Sequence, residues 1–405
     1  DYTVNGTLMD KESGEVFMDA SGNPVTATAE LKPTKSDGTV DVTFTFDGTG
    51  LENRSLVVFE NMSCGDLSVA SHEDINDADQ TVYFPVIQTE ALDADTGIHL
   101  SRNDKKTTVI DTVSFQNLKP GFEYMIKGTL MDKNTGKEIL VDNKKVTGTT
   151  KFTPTKESGT AQVQFEFDST SLGGKKLVAF ESLYYKDALI AEHNDPTDAK
   201  QAVQIPKIGT TLISNDTNDH VSGTGGKVIL TDSVKYENLL PGLDYTLNGK
   251  LVNKKTGEEI LGADKKPVTS ETNFTASESS GEIEMTFNLN ASDLTGATVV
   301  AYEDLSFNGK TIVSHADVND ESQSVHIPEI KTSAVDKDTK TKVSKLDKKA
   351  TIVDTVFYAN LVPGKKYTLK GTLMDKASGK ALTESGSRFE ESLTCQFTAG
   401  IYAAI

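Results

Sequence analysis

The sequence predicts an all-β chain, with tandem Ig-like β-sandwich domains arranged end to end as a rod. Three observations lead there. The phrase Gly-Thr-Leu-Met-Asp-Lys occupies 6–11, 128–133 and 371–376, with Gly-Lys-Leu-Val-Asn-Lys at 249–254, so the chain repeats every 121 or 122 residues. That period suits a whole domain and is too long for a solenoid repeat. Within each period, apolar residues alternate with polar ones, as at Val163, Phe165 and Phe167, the pattern of a half-buried strand. Turn signals are frequent and helical periodicity is scarce, which favours short strands in a sandwich.

Each element follows from local chemistry. Tyr2, Tyr124, Tyr245 and Tyr367 precede the recurring phrase and open a strand with it. Ser13-Gly14, Asn134-Thr135-Gly136 and Lys255-Thr256-Gly257 then read as hairpin loops with glycine at the left-handed position. Pro120-Gly121, Pro241-Gly242 and Pro363-Gly364 mark turns between apolar alternations. Pro85, Pro206 and Pro328 mark boundaries, which divides the chain into 1–84, 85–205, 206–327 and 328–405. Short links stiffened by proline are the reason to expect a rod. The two middle repeats read as whole and both terminal ones as incomplete. The first starts at its Tyr2 strand; the last stops soon after Thr394-Cys395-Gln396-Phe397-Thr398, which matches Thr149-Thr150-Lys151-Phe152-Thr153. The chain thus reads as part of a longer array.

Composition narrows the function. A net charge of -19 and a pI near 4.8 argue against nucleic acid and against an anionic membrane surface as partners. No apolar run is long enough to span a membrane. Asp1 leads straight into strand-like sequence, so no signal peptide is expected in this segment. Cys64 and Cys395 lie in distant repeats without counterparts, which excludes a disulfide framework. Cysteines and histidines never cluster at ligand spacing, so no metal is expected, and the acidic loops at 93–95 and 215–219 fit no standard calcium loop. His99, His220 and His326 read as plain surface residues.

Five polar positions recur in register. Glu60, Glu181 and Glu303 end the stretches Val57-Val58-Phe59-Glu60, Val178-Ala179-Phe180-Glu181 and Val300-Ala301-Tyr302-Glu303. His72, His193 and His315 follow twelve residues later, and Gln80, Gln201 and Gln323 eight after that. Thr89, Thr210 and Thr332 lie nine residues beyond each glutamine, and Asp111, Asp232 and Asp354 a further twenty-two. Side-chain parity points the threonines, aspartates, glutamines and glutamates inward. Thr89 shares a face with Ile87 and Ala91, Thr210 with Ile208 and Leu212, and Thr332 with Ile330 and Ala334. Each aspartate lies between two apolar residues of its own face, as Asp111 does between Val109 and Val113.

Burying a polar group without a partner costs roughly 2–7 kcal/mol. A chain that repeats such groups must bring them together. The threonine supplies a hydroxyl nucleophile and the histidine a base. The glutamine amide is the electrophile. An aspartate and a glutamate in apolar surroundings share a proton, which serves the developing oxyanion and the departing ammonia. The product is an ester between the first and last strands of a repeat, made without cofactor.

The Val-Ala-Phe-Glu stretch, the Asp-Thr-Val strand starts at Asp111 and Asp354, and the His-to-Gln spacing resemble those of the VaFE-repeat domains. Those are Ig-like stalk domains of Gram-positive cell-surface adhesins with autocatalytic Thr–Gln ester bonds. The resemblance implies joined pairs Thr89–Gln201 and Thr210–Gln323, with His193 and His315 as bases and Asp111 with Glu181, and Asp232 with Glu303, as acid pairs. It also implies a secreted, wall-anchored protein whose unknown host or cell-surface ligand binds elsewhere. Neighbouring repeats would be its partners in this segment, with no nucleic acid and no membrane insertion. Each site would act once, so no enzyme is expected.

Rival readings differ in residues. Plain Ig-like binding modules would keep the polar groups as hydrogen-bond partners only. A turnover hydrolase would not need the same site in every repeat, and no nucleophile-elbow motif occurs. A Lys–Asn isopeptide fails because Gln88, Gly209 and Lys331 precede the threonines, so no lysine recurs.

Overall fold

A computed structural model describes residues 1–346, 348–384, 387, 388 and 390–396. The fold is all-β, with only three short 3₁₀ turns among the described residues. The chain divides into two units, Asp1–Pro206 and Lys207–Ile405, and each holds two sequence repeats.

In the second repeat, strands Val86–Asp93, Thr107–Gln116 and Gly159–Phe167 form a three-stranded sheet with Thr107–Gln116 in the middle. A larger sheet runs Thr147–Phe152, Tyr124–Asp132, Lys176–Tyr185, Ala188–His193, with Ala202–Gln204 also on Lys176–Tyr185. The two sheets bury one core, Ile87, Val109, Val113 and Phe165 from the small sheet against Ile126, Leu130, Ala179 and Leu183 from the large one. The third repeat copies this. Lys207–Ser214, Lys227–Glu237 and Gly281–Asn290 make the small sheet; Asp244–Asn253, Thr269–Thr275, Thr298–Phe307, Lys310–His315 and Ser324–His326 make the large one.

In the two middle repeats the glycine that opens the recurring phrase has a packing reason. A Cβ on Gly128 would stand 2.5 Å from Cζ of Phe165, and one on Gly249 2.7 Å from Cζ of Phe287. The bare backbone lets an aromatic ring of the opposite sheet seat directly on it, which brings the sheets to a close and fixed separation.

The outer repeats differ. The first has one five-stranded sheet, built from Tyr2–Asp10, Thr26–Leu31, Arg54–Cys64, Leu67–His72 and Thr81–Phe84. In the fourth, Glu329–Asp336 pairs Ile352–Ala359 and Lys366–Thr372 pairs Glu390–Gln396. Thr332 and Asp354 are exposed there, with Ile330 at 58% exposure. This corrects the expectation that they point inward: among the described residues no second sheet covers that face. Cys64 is free and exposed, the side chain of Cys395 lies outside the described residues, and so do Phe397 and Thr398. His99, His220 and His326 are half-buried rather than plain surface residues. The loop of His99 folds back so that its Nδ1 meets the Ala91 carbonyl at 3.0 Å.

Candidate functional site

The small sheet presents a threonine and an aspartate on one face. Thr89 pairs with Val113 while Asp111 pairs with Ala91, so the two polar residues sit diagonally on adjacent strands. Thr210 opposite Val234 and Asp232 opposite Leu212 repeat the arrangement. The large sheet supplies the rest. Glu181 stands directly opposite His193, and Glu303 opposite His315, so glutamate and histidine share a face. The glutamine comes in the turn just before the last strand. Its carbonyl accepts from Ala179 N at 3.1 Å, which ties that turn to the glutamate strand.

These groups converge between the sheets. Gln201 Nε2 donates to Thr89 Oγ1 at 2.5 Å and to Glu181 Oε2 at 2.9 Å. Thr89 Oγ1 donates to Glu181 Oε2 at 3.3 Å. In the third repeat Gln323 Nε2 donates to Thr210 Oγ1, and to Glu303 Oε2 at 2.5 Å. The setting is dry: Thr89 is 5% exposed, Thr210 6%, and Gln201 and Gln323 0%.

The carboxyls carry the electrostatics. Burial, and then the Asp111 carboxyl beside it, push Glu181 up to about 11. Burial likewise raises Asp111. Burial and the neighbouring Asp232 push Glu303 up to about 10, and burial pushes Asp232 up to about 6. As bare carboxylates, both oxygens of each aspartate and Oε1 of each glutamate are without a donor. One proton shared by each facing pair bridges two of these three oxygens and removes the clash of two buried charges.

Each histidine turns its Nε2 to an aspartate of the following turn. His193 Nε2 meets Asp198 Oδ2 at 3.1 Å, and His315 Nε2 meets Asp320 Oδ2 at 3.1 Å. The other oxygen of each aspartate accepts a backbone N–H two residues on, Lys200 at 2.9 Å and Ser322 at 2.8 Å. One carboxylate thus holds the imidazole and shapes the turn that delivers the glutamine. Sequence reasoning passed over Asp77, Asp198 and Asp320. Their signal was present: each stands five residues after the histidine and three before the glutamine.

The first repeat assembles part of the same group. Gln80 Nε2 donates to Glu60 Oε2 at 2.5 Å, and His72 Nε2 meets Asp77 Oδ2 at 2.9 Å. Burial raises Glu60. Among the described residues no threonine hydroxyl meets Gln80. In the fourth repeat Thr332 and Asp354 share a two-stranded sheet, with Thr332 opposite Val356 and Asp354 opposite Ala334, and no glutamine joins them among the described residues.

A buried hydroxyl against a buried carboxamide, at the same two positions of successive repeats, is the arrangement that decides the family. Residues 1–84, 85–205, 206–327 and 328–400 each match the family described as T-Q ester bond containing domain. The chain belongs to that family. No curated protein matches the chain. Among solved structures, this T-Q chain is similar to a Mobiluncus mulieris bacterial adhesin containing intramolecular disulfide, isopeptide and ester bond cross-links. The two are 14% identical, with 68% of this chain and 97% of that one covered and a TM-score of 0.29. The C-terminal domain of the Streptococcus agalactiae AgI/II polypeptide BspA is 10% identical, with 57% and 97% covered and a TM-score of 0.27. A glycosyl hydrolase family 2 member from Bacteroides cellulosilyticus is 10% identical, with 55% and 27% covered and a TM-score of 0.24.

Proposed function

We propose that this T-Q chain is a stalk segment of a Gram-positive, wall-anchored cell-surface adhesin. Its second and third repeats weld themselves with Thr89–Gln201 and Thr210–Gln323 esters. The observation that carries the reading is the glutamine amide resting on the threonine hydroxyl in a dry interior, twice over. Thr89 Oγ1 attacks Cδ of Gln201, the C–N bond breaks, nitrogen leaves as ammonia and the O–C bond remains. Glu181 Oε2 touches both the hydroxyl and the amide nitrogen, so it stands where a proton passes from one to the other. His193, held by Asp198, is the auxiliary base beside the pair. Atoms balance without cofactor, metal or second substrate. Each site is consumed by its own product, so the chain is no turnover enzyme.

The bond would join the first strand of the small sheet to the last segment of the large one. A pull along the chain would then pass through a covalent link instead of peeling strands. Intact mass tests the reading. The whole chain should be lighter than its sequence by one ammonia per welded repeat, and a Thr89→Ala, Thr210→Ala variant should lack that deficit. A parent chain with no deficit overturns the proposal.

A further inference from the structure

A second recurring contact lies outside the ester sites. Asn117 precedes the turn Leu118-Lys119-Pro120-Gly121, and Asn360 precedes Leu361-Val362-Pro363-Gly364. Both asparagines reach into the repeat before their own. Asn117 Nδ2 donates to the Arg54 carbonyl at 2.6 Å and to the Phe84 carbonyl at 3.1 Å, and Ser55 Oγ donates to Asn117 Oδ1 at 2.8 Å. Asn360 Nδ2 donates to the Ala297 carbonyl at 2.5 Å and to the Ile327 carbonyl at 3.1 Å, and Thr298 Oγ1 donates to Asn360 Oδ1 at 2.8 Å. The hydroxyl residue, the two carbonyls and the asparagine occupy equivalent positions in both cases. Each carboxamide has its two N–H groups and its oxygen satisfied, all by the other repeat.

We infer that the terminal face of a repeat is a socket built for the corner asparagine of the repeat that follows, and that this peg stiffens the joint. Backbone geometry supports a dedicated role. Asn117 has φ 61° and Asn360 φ 59°, the left-handed region that asparagine tolerates better than most residues. Asn238, at the same place in the third repeat, has φ 60°. The socket carbonyls are well chosen. Phe84 and Ile327 end the segments that carry Gln80 and Gln323 and precede Pro85 and Pro328; Arg54 and Ala297 lie where the strands of Glu60 and Glu303 begin. The peg therefore clamps the two segments of one repeat that its site also uses. Side contacts reinforce it: Lys119 Nζ donates to the Ala78 carbonyl at 3.4 Å, and Lys365 pairs with Asp219. His326 lines the second socket, its Nδ1 3.0 Å from Asn360 Oδ1, which is why it is half-buried. Interfaces between domains of one chain ordinarily leave room for motion, so a joint stiffened by a few directed hydrogen bonds is open to test.

The test uses the whole chain carrying Cys395→Ser and Lys144→Cys, with spin labels on the exposed Cys64 of the first repeat and on position 144 of the second. Pulsed electron resonance then reads the distance distribution across the first joint. Asn117→Gly keeps the left-handed backbone and removes the carboxamide. Asn117→Asp keeps the shape and turns a carboxylate oxygen toward two carbonyls. The parent should give one narrow distribution, and both variants a broad one with unchanged melting of the repeats. An unchanged width in both variants overturns the inference. So does broadening that comes only with lowered melting, since the asparagine would then serve its own repeat's folding.

Discussion

Thr89 Oγ1 lies 2.5 Å from Gln201 Nε2, across 112 residues of chain and from one sheet of the sandwich to the other. Two side chains so far apart in sequence meet only if both sheets form and face each other. Any bond between them is therefore made after folding, by the folded repeat.

Removing the hydroxyl should cost stability. Thr89→Ala is expected to lower the stability of the second repeat by about 4–5 kcal/mol, if the entropy of closing a ~100-residue loop carries over from disulfides. Thr89→Ser, which keeps a hydroxyl, should retain most of it. Calorimetry of the two variants beside the parent checks this, and equal melting for Thr89→Ala and the parent would count against a bond at this site.

The acid pair should make the unwelded repeat sensitive to pH. Glu303 titrates near 10 when folded against an ordinary 4.5, and Asp232 near 6 against 3.8. Between those values the folded state holds protons that the unfolded chain releases, so stability falls as pH rises. The contribution is fully present below the ordinary carboxylate values. It is lost through about 6 for Asp232 and through about 10 for Glu303. In Thr210→Ala, the urea midpoint of the third repeat should be higher at pH 5 than at pH 8. A flat profile would contradict the shared proton.

The aspartate behind each histidine should set the rate of bond formation rather than the fold. His193→Ala is expected to slow ester formation by roughly 10²–10⁴-fold, the usual contribution of a positioned acid or base. Asp198→Asn should slow it less, with the far-ultraviolet dichroism of the parent. Ammonia release followed by mass during refolding measures both. Parent-like rates for Asp198→Asn would reduce that residue to a turn former.

Sheet separation should also be adjustable. Gly249→Ala places a methyl 2.7 Å from Phe287 Cζ, and such overpacking costs about 1–3 kcal/mol. Thermal unfolding should show the loss in the third repeat, together with slower bonding at Thr210. A neutral substitution would mean that the ring simply moves aside.

Much of this was legible in one dimension because strands alternate. Parity alone placed Thr89 with Ile87 and Ala91, and Asp232 with Leu230 and Val234, on faces that are buried in the structure. Asp198 recurs in register with His193 and Gln201, but so does Asp195 three residues earlier, and spacing does not tell which of two carboxylates reaches a ring. The turn decides: Asp195 Oδ1 is occupied by the N–H of Thr197 at 2.8 Å, while Asp198 Oδ2 is turned to His193.

The period, the strands, the five polar positions and the inward face of Thr89, Thr210, Asp111 and Asp232 follow from the one-dimensional pattern, since these depend only on local geometry and on what tolerates burial. Tertiary structure decided the rest. It put threonine and aspartate on one sheet, glutamate and histidine on the other and glutamine in the turn beside them, used a bare glycine to bring the sheets close, and sent Asn117 into the neighbouring repeat. It also left Thr332 in the open where the same residues elsewhere are enclosed. Burial is a property of what covers a face, and no stretch of sequence carries its own cover.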